Sequence, residues 1–268
     1  MNILQKVYEK HPLIDCITNN VTINDCANIL LACGASPTMA RNVNEVGEIA
    51  AKSGAVVLNL GAIEYLDAMI IAGIKANQSG VPVVFDPVAA GASQFRRECC
   101  EKLLFTVKMA VIRGNVSEIK ALLGENVAAG GVDVAESDLN SDIDSICEAA
   151  KALSRKTGAV IVISGETDVI SDGERTALIK NGCAMMARIT GSGCMLTSLT
   201  AGFCAAQPED IFAACVWATA AMGLCGEIAF EKAKSRGEGT GSFRTYLIDA
   251  VSLLDDEKLN GGAKIEFR

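Results

Sequence analysis

Thr190-Gly191-Ser192-Gly193-Cys194 opens a long apolar stretch of this 268-residue chain, and that order of residues makes an anion site. The first amides of a helix have no intrahelical acceptor and the macrodipole adds partial positive charge, so a phosphate or a developing phosphoryl charge fits there. The same field favours thiolate at Cys194 over the ordinary thiol, whose pKa is about 8.5. A tight strand-to-helix turn with Cys194 packed inward is the competing reading. Upstream, Asp86-Pro87, Arg113-Gly114-Asn115 and Ser164-Gly165-Glu166 each follow an apolar run. An Asp and an Arg at the ends of successive strands suit a hard cation and a phosphate, respectively. A plain surface ion pair between them is the alternative. Asn115-Val116-Ser117-Glu118 has the spacing of a capping box. It also places a carboxylate one helical turn beyond a strand end, where it helps to hold Mg²⁺; the two uses are compatible.

Other chemistries are excluded by counting. The chain has one histidine, His11, so multi-histidine metal sites are impossible and a Ser-His-Asp or Cys-His hydrolase would need that single residue. Its eleven cysteines include no C-x-x-C pair, which disfavours a zinc cage and leaves most of them as small core hydrophobes. No G-x-x-x-x-G-K-[ST] occurs, and Gly191-x-Gly193 has Leu196 where a dinucleotide fingerprint has its third glycine. A net charge of −8 argues against nucleic acid. Ile189–Gln207 is uncharged but opens on Thr, Gly and Ser, and Ile211–Gly226 is too short to span a bilayer, so both read as buried helices and no membrane is expected. The absence of a signal-peptide pattern and the free-looking thiols point to the cytoplasm.

Positioning these residues calls for a particular scaffold. Leu13–Thr18, Ala55–Leu60, Val81–Asp86, Ala110–Arg113 and Ala159–Ser164 are continuously apolar, the pattern of strands buried on both faces. Helical segments alternate with them: Thr22–Cys33, Asn44–Lys52, Ile63–Gln78, Val116–Leu123 and Ile143–Lys156. The alternation predicts an α/β fold, a doubly wound, mostly parallel sheet flanked by helices, in a single domain over 1–268 with no separate lid domain. Thr167–Ser171 and Thr176–Ile179 flank Asp172-Gly173 and predict an antiparallel hairpin at one sheet edge. Helices follow over Gly193–Ala206, Glu209–Lys234 and Ser242–Leu254, while the acidic stretch Glu125–Asp142 reads as a solvated surface loop. Ligands of such sheets bind beyond the carboxyl ends of the strands, where the polar residues above lie.

Together, Cys16-Ile17-Thr18-Asn19, Gly34-Ala35-Ser36-Pro37-Thr38-Met39-Ala40, Phe85-Asp86-Pro87-Val88, Ile112-Arg113-Gly114-Asn115 with Glu118, Ser164-Gly165-Glu166-Thr167-Asp168, Thr190-Gly191-Ser192-Gly193-Cys194 and Gly241-Ser242-Phe243 resemble the hydroxyethylthiazole kinase family. These are thiamin-salvage enzymes of the ribokinase-like superfamily. The resemblance implies ATP-dependent phosphorylation of the primary hydroxyl of 4-methyl-5-(2-hydroxyethyl)thiazole, with Mg²⁺, giving the thiazole phosphate and ADP. By resemblance Met39 lines the thiazole pocket, Gly191 contacts the substrate, Arg113 and Ser164 bind ATP, and Asp86 and Glu118 organise Mg²⁺ and its waters. Cys194 takes the place of a general base, on the Gly191–Gly193 amide nest that steadies the transferring phosphate. The family's homotrimers place the thiazole site between subunits, so Asn19 and Val21 serve a neighbouring chain. Three departures stand out: Asp15 where the family often has His, Ala89 for a usual Gly, and Ser164 for a common Thr. A ribokinase-like kinase of another small alcohol, and a thiazole or nucleotide sensor, are the alternatives.

Overall fold

In the computed structural model, which describes residues 2–124 and 142–268, the apolar runs assemble into one nine-stranded sheet. The strands are β1 (Leu13–Ile17), β2 (Ser36–Thr38), β3 (Ala55–Asn59), β4 (Val83–Asp86), β5 (Val111–Asn115), β6 (Val160–Ser164), β7 (Asp168–Ser171), β8 (Thr176–Ile179) and β9 (Ile265–Phe267), in the spatial order β2-β1-β3-β4-β5-β6-β7-β8-β9. Pairing is parallel from β2 to β6 and antiparallel from β6 to β9. Successive parallel strands up to β6 are joined by chain that crosses back over the sheet, which lines up the carboxyl ends of β1, β3, β4, β5 and β6.

Side chains alternate between two cores. Ile14, Cys16, Val57, Val84, Val111 and Val162 face one layer, formed by α1 (Ile3–Lys10), α2 (Ile23–Ala32), α8 (Ser192–Ala206), α9 (Ile211–Ser235) and α10 (Thr240–Ser252). Ile17, Val56, Leu58, Phe85, Ile112 and Ile161 face the other, formed by α3 (Val46–Lys52), α4 (Leu66–Gln78), α5 (Gln94–Thr106), α6 (Val116–Leu123) and α7 (Ile143–Thr157). This two-sided burial is why the parallel strands lack polar alternation. Nine of the eleven cysteines are buried as packing residues, and Cys183 and Cys194 are the exceptions.

Several expectations need adjustment. The hairpin of β7 and β8 is present, but it is one strand in from the edge, because β9 pairs outside β8. A 3-10 turn over Leu60–Tyr65 precedes α4, so that helix starts later than its apolar pattern suggested. The segment Ile211–Gly226 is part of α9, which has 25 residues and is the one helix among the described residues long and apolar enough to cross a membrane. Its most apolar stretch is 72% buried, so it packs as a core helix against α8 and α10. The acidic loop lies, apart from Asp142, outside the described residues.

Two joints tie segments that are distant in the chain. The first-turn amides of α1 at Leu4 and Gln5 donate to Asp256 at 3.0 and 2.9 Å, on the short helix α11 (Asp256–Gly262). In the loop after β4, Ala89 holds a left-handed backbone at φ 56° while its amide donates to Glu118 Oε1 at 2.8 Å. A left-handed backbone costs a residue with a Cβ roughly 1–2 kcal/mol, and glycine's greater freedom in the unfolded chain offsets about 0.5–1 kcal/mol of that. Ala89→Gly is therefore expected to stabilise the protein by about 0.5–1 kcal/mol, a rise of roughly 1–4 °C in Tm by calorimetry. An unchanged or lower Tm would count against strain at this turn.

Candidate active site

The site is built where the carboxyl ends of β3 to β6 meet the first turn of α8. Asp86, the last residue of β4, is 1% exposed. Its Oδ2 accepts from Thr197 Oγ1 at 2.8 Å and from Asn59 Nδ2 at 3.1 Å, and Arg113 Nη1 stands 3.9 Å away. Its Oδ1 is buried without a partner. Burial raises the pKa of this carboxyl against the opposing pull of Arg113 and Thr197.

Arg113 leans from β5 toward α8, and its Nη2 donates to Ser164 Oγ at 2.6 Å. The guanidinium occupies space that only a glycine at position 193 leaves open: a Cβ there would collide with Nη1 and come within 3.0 Å of Nη2. Asp86 and Arg113 thus do form the ion pair considered from the sequence. It is inside the site, with the two side chains 1% and 12% exposed, and not on the surface.

Glu118 completes the expected capping box and makes one further bond that the sequence did not foretell. Its amide donates to Asn115 Oδ1 and its Oε2 accepts from the Asn115 amide, each at 2.8 Å, which completes the capping box of α6. Its Oε1 takes the Ala89 amide, so the same carboxylate ties the loop after β4 to the helix after β5. Burial, then the nearby Asp86 charge, push its pKa up to about 7. Asp168 closes the turn from β6 to β7 by accepting the Gly165 amide at 2.9 Å; burial pushes it up to about 7 while Arg113 opposes the shift.

Cys194 stands in the first turn of α8, whose N-cap Gly191 has φ +84° and offers no side-chain cap. The amides of Ser192, Gly193 and Cys194 are therefore left for an anion. A Cβ on Gly191 would meet Thr22 Cγ2 at 2.7 Å, so Gly191 is required by space as well as by its left-handed backbone, and Gly193 by space alone. The sulfur accepts from Asn59 Nδ2 at 3.2 Å and from Asn19 Nδ2 at 3.6 Å. Both amides are oriented by backbone donors: Gly61 on Asn59 Oδ1 at 2.8 Å, and Val21 and Thr22 on Asn19 Oδ1 at 3.1 Å each. Burial first, and the Asp86 charge second, raise the thiol above its ordinary range. This runs against the expectation of a thiolate: desolvation and a neighbouring carboxylate outweigh the hydrogen bond from Asn59 and the charge of Arg113.

The structure brings Asp86, Arg113, Glu118, Ser164, Gly193 and Cys194 together. Asn19 belongs to the same cluster within its own chain, through its bond to Cys194. Val21 contributes its amide to Asn19 while its side chain is 73% exposed, and Met39 is half-buried just beyond β2, packed on the core. Asp15 is buried behind that segment, with Oδ1 accepting the Ala40 amide at 3.0 Å. Asn59, Thr197 and Asp168 were given no individual role by the sequence. Asn59 and Asp86 each end a strand and lie in register, which the polar ends Asn59-Leu60-Gly61 and Asp86-Pro87 foreshadow without pairing them.

With the geometry in place, comparison with known proteins is specific. The model of the hydroxyethylthiazole kinase family matches residues 4–257. A hydroxyethylthiazole kinase of Clostridium botulinum (strain Eklund 17B / Type B) is 46% identical over 267 residues, 99% of this chain and 95% of its own length. The solved structure of the hydroxyethylthiazole kinase of Pyrococcus horikoshii OT3 superposes with a TM-score of 0.88 at 34% identity, covering 99% of this chain and 97% of that one. A ribokinase-like superfamily protein of Enterococcus faecalis V583 has a TM-score of 0.59 at 12% identity over 91% and 89% of the two chains, a likeness of fold alone.

Proposed function

The chain belongs to the hydroxyethylthiazole kinase family, and on that premise we propose how its site phosphorylates the primary hydroxyl of 4-methyl-5-(2-hydroxyethyl)thiazole with ATP in thiamin salvage. The observation that carries the reading is the convergence of Asp86, Arg113 and Cys194 on the free amides opening α8. Phosphoryl transfer needs positioning and charge stabilisation more than covalent help. Arg113, braced by Ser164, holds the ATP phosphates, and the amides of Ser192, Gly193 and Cys194 receive charge on the transferring group. Gly191 and Met39 border the thiazole, and the hydroxyl of its arm approaches beside Cys194.

A hard cation fits the donor set. Asp86 Oδ1 is buried and unpartnered, and Glu118, already fixed by two backbone amides, offers its remaining lone pairs to the cation's water shell. Asp86 and Glu118 would hold Mg²⁺, which supplies neutralisation of phosphate charge when bound. We carry the homotrimer over from the family, in which the exposed side chain of Val21, two residues from Asn19, would meet a neighbouring subunit. Eleven free thiols suit a reducing cytoplasm. One continuous sheet suits a single catalytic domain.

The test is ADP formation from Mg-ATP with a panel of small alcohols. ADP with the thiazole alcohol alone supports the reading, ADP with another alcohol redirects it to a related kinase, and nucleotide binding without turnover would make the chain a sensor. Because the Cys194 thiol is held protonated, Cys194→Ala is expected to slow turnover by about 10-fold, short of the 10²–10⁴ typical of a true general base. Background-level turnover in that variant, with ATP binding intact, would restore the base assignment. Cys194→Asp should keep or raise activity if proton acceptance matters.

A further inference from the structure

Asn59 does more than end a strand. Its Oδ1 is committed to the Gly61 amide at 2.8 Å, and Gly61 permits that approach because a Cβ there would meet Oδ1 at 2.7 Å. The orientation of the carboxamide is thereby fixed, and both hydrogens of Nδ2 point into the site. One goes to Asp86 Oδ2 at 3.1 Å and the other to Cys194 Sγ at 3.2 Å. Every polar atom of the side chain is thus used, in a residue 1% exposed.

We infer that Asn59 is a positioning residue that clamps Asp86, on the phosphate side of the reaction, to Cys194, on the alcohol side, so that one carboxamide sets the spacing of the two reactants. The inference rests on the kinase reading of the site and assigns a role to a residue outside the expected set. Asn59 touches neither reactant; it acts through the two side chains that do. The sulfur, taking a hydrogen bond from Asn59 and a longer one from Asn19, is anchored as an acceptor. A strand-end cap without this role would need only the Oδ1 bond to Gly61.

Asn59→Asp separates the two roles, because it keeps the acceptor for Gly61 and removes both N–H donors without changing shape. Turnover of the thiazole alcohol is expected to fall about 10²-fold, the effect of a small misplacement of reacting groups, with KM for ATP within about 3-fold. In a Cys194→Ala background the same substitution should cost distinctly less than it does alone, since residues that act as a unit are not additive. Asn59→Ser, which still caps Gly61 but cannot span both partners, provides a second variant should the aspartate fail to fold. Independent of turnover, iodoacetamide labelling of Cys194, scored by peptide mass spectrometry, should slow about 10-fold in Asn59→Asp, because the thiolate loses a donor and gains a repelling neighbour. Multiplicative losses in the double variant, or labelling at the wild-type rate, would overturn the inference. A wild-type protein that forms no ADP with any alcohol would overturn the kinase reading instead, and the labelling rate would still decide whether Asn59 controls the sulfur.

Discussion

Asp86→Asn is expected to lower kcat by about 10³-fold and, in the absence of metal, to make the protein more stable. The catalytic loss follows from Oδ1, the buried unpartnered oxygen best placed to hold a cation. Losing charge stabilisation of several kcal/mol is a loss of about 10³ in rate. The stability gain follows from the same crowding. Asp86, Glu118 and Asp168 surround one guanidinium, Arg113; burial raises the pKa of all three, and the Asp86 charge raises Glu118 further. A carboxyl whose pKa is raised on folding adds stability below its unfolded pKa and loses it as pH climbs through the folded one. For Glu118 that window runs from its ordinary 4.5 to about 7, so the metal-free protein should weaken across it. Asn at position 86 keeps an acceptor for Thr197 and removes one of the charges that pushes Glu118 up. Calorimetry with EDTA at pH 8 should find the variant roughly 2–4 °C above wild type, the shift expected of about 1 kcal/mol in a chain of this size. Added Mg²⁺ should raise the wild-type Tm and leave the variant's unchanged. Wild-type kcat, or a lower Tm at pH 8 without metal, would contradict this account.

Gly193→Ala is expected to cut kcat/KM for ATP about 10²-fold while the fold is retained. The added methyl would occupy the place of the Arg113 guanidinium, forcing it away from both Asp86 and Ser164. Displacement of a phosphate-holding group by about 1 Å is enough for such a loss. Helix propensity works in the other direction, since Ala is favoured over Gly inside a helix by up to about 1 kcal/mol. Gly202 on the same helix is the control: a Cβ there meets Leu30, Cys33 and Ala35 only at 3.6–3.8 Å. Gly202→Ala should leave ATP kinetics unchanged and Tm equal or slightly higher. Equal ATP kinetics in the two alanine variants would remove the steric argument.

The residues legible in the sequence were those whose partners are near in the chain or whose place follows from parallel-sheet topology. The Asn115–Glu118 box was visible because it is an i, i+3 motif, and Asp86, Arg113 and Ser164 because they follow apolar strands. The second use of Glu118, on the Ala89 amide, spans 29 positions and has no local signature. Asn59 was hidden for a related reason: its pairing with Asp86 depends on the register of β3 and β4, which neither strand specifies alone. Cys194 was read with the wrong sign because the helix terminus is local while its burial and the Asp86 charge are tertiary. Helix α5 went unseen because Cys99, Cys100 and Leu103, its buried residues, are scattered among Arg96, Arg97, Glu98, Glu101 and Lys102. β2 and β9 are three residues each, too short for any pattern to stand out.

The clasp between α1 and Asp256 bears on how the chain is made. The cap for the first-turn amides of α1 is supplied by a residue about 250 positions later in the sequence. During ribosomal synthesis α1 emerges long before Asp256 and its first turn waits uncapped until the intervening chain has followed. Long-separated contacts of this kind close late, because the intervening loop entropy must first be overcome. Capping of α1 is thus a finishing step, and a nascent chain truncated before Asp256 should leave the first turn of this helix frayed and open to protease while its apolar face is already docked on α8.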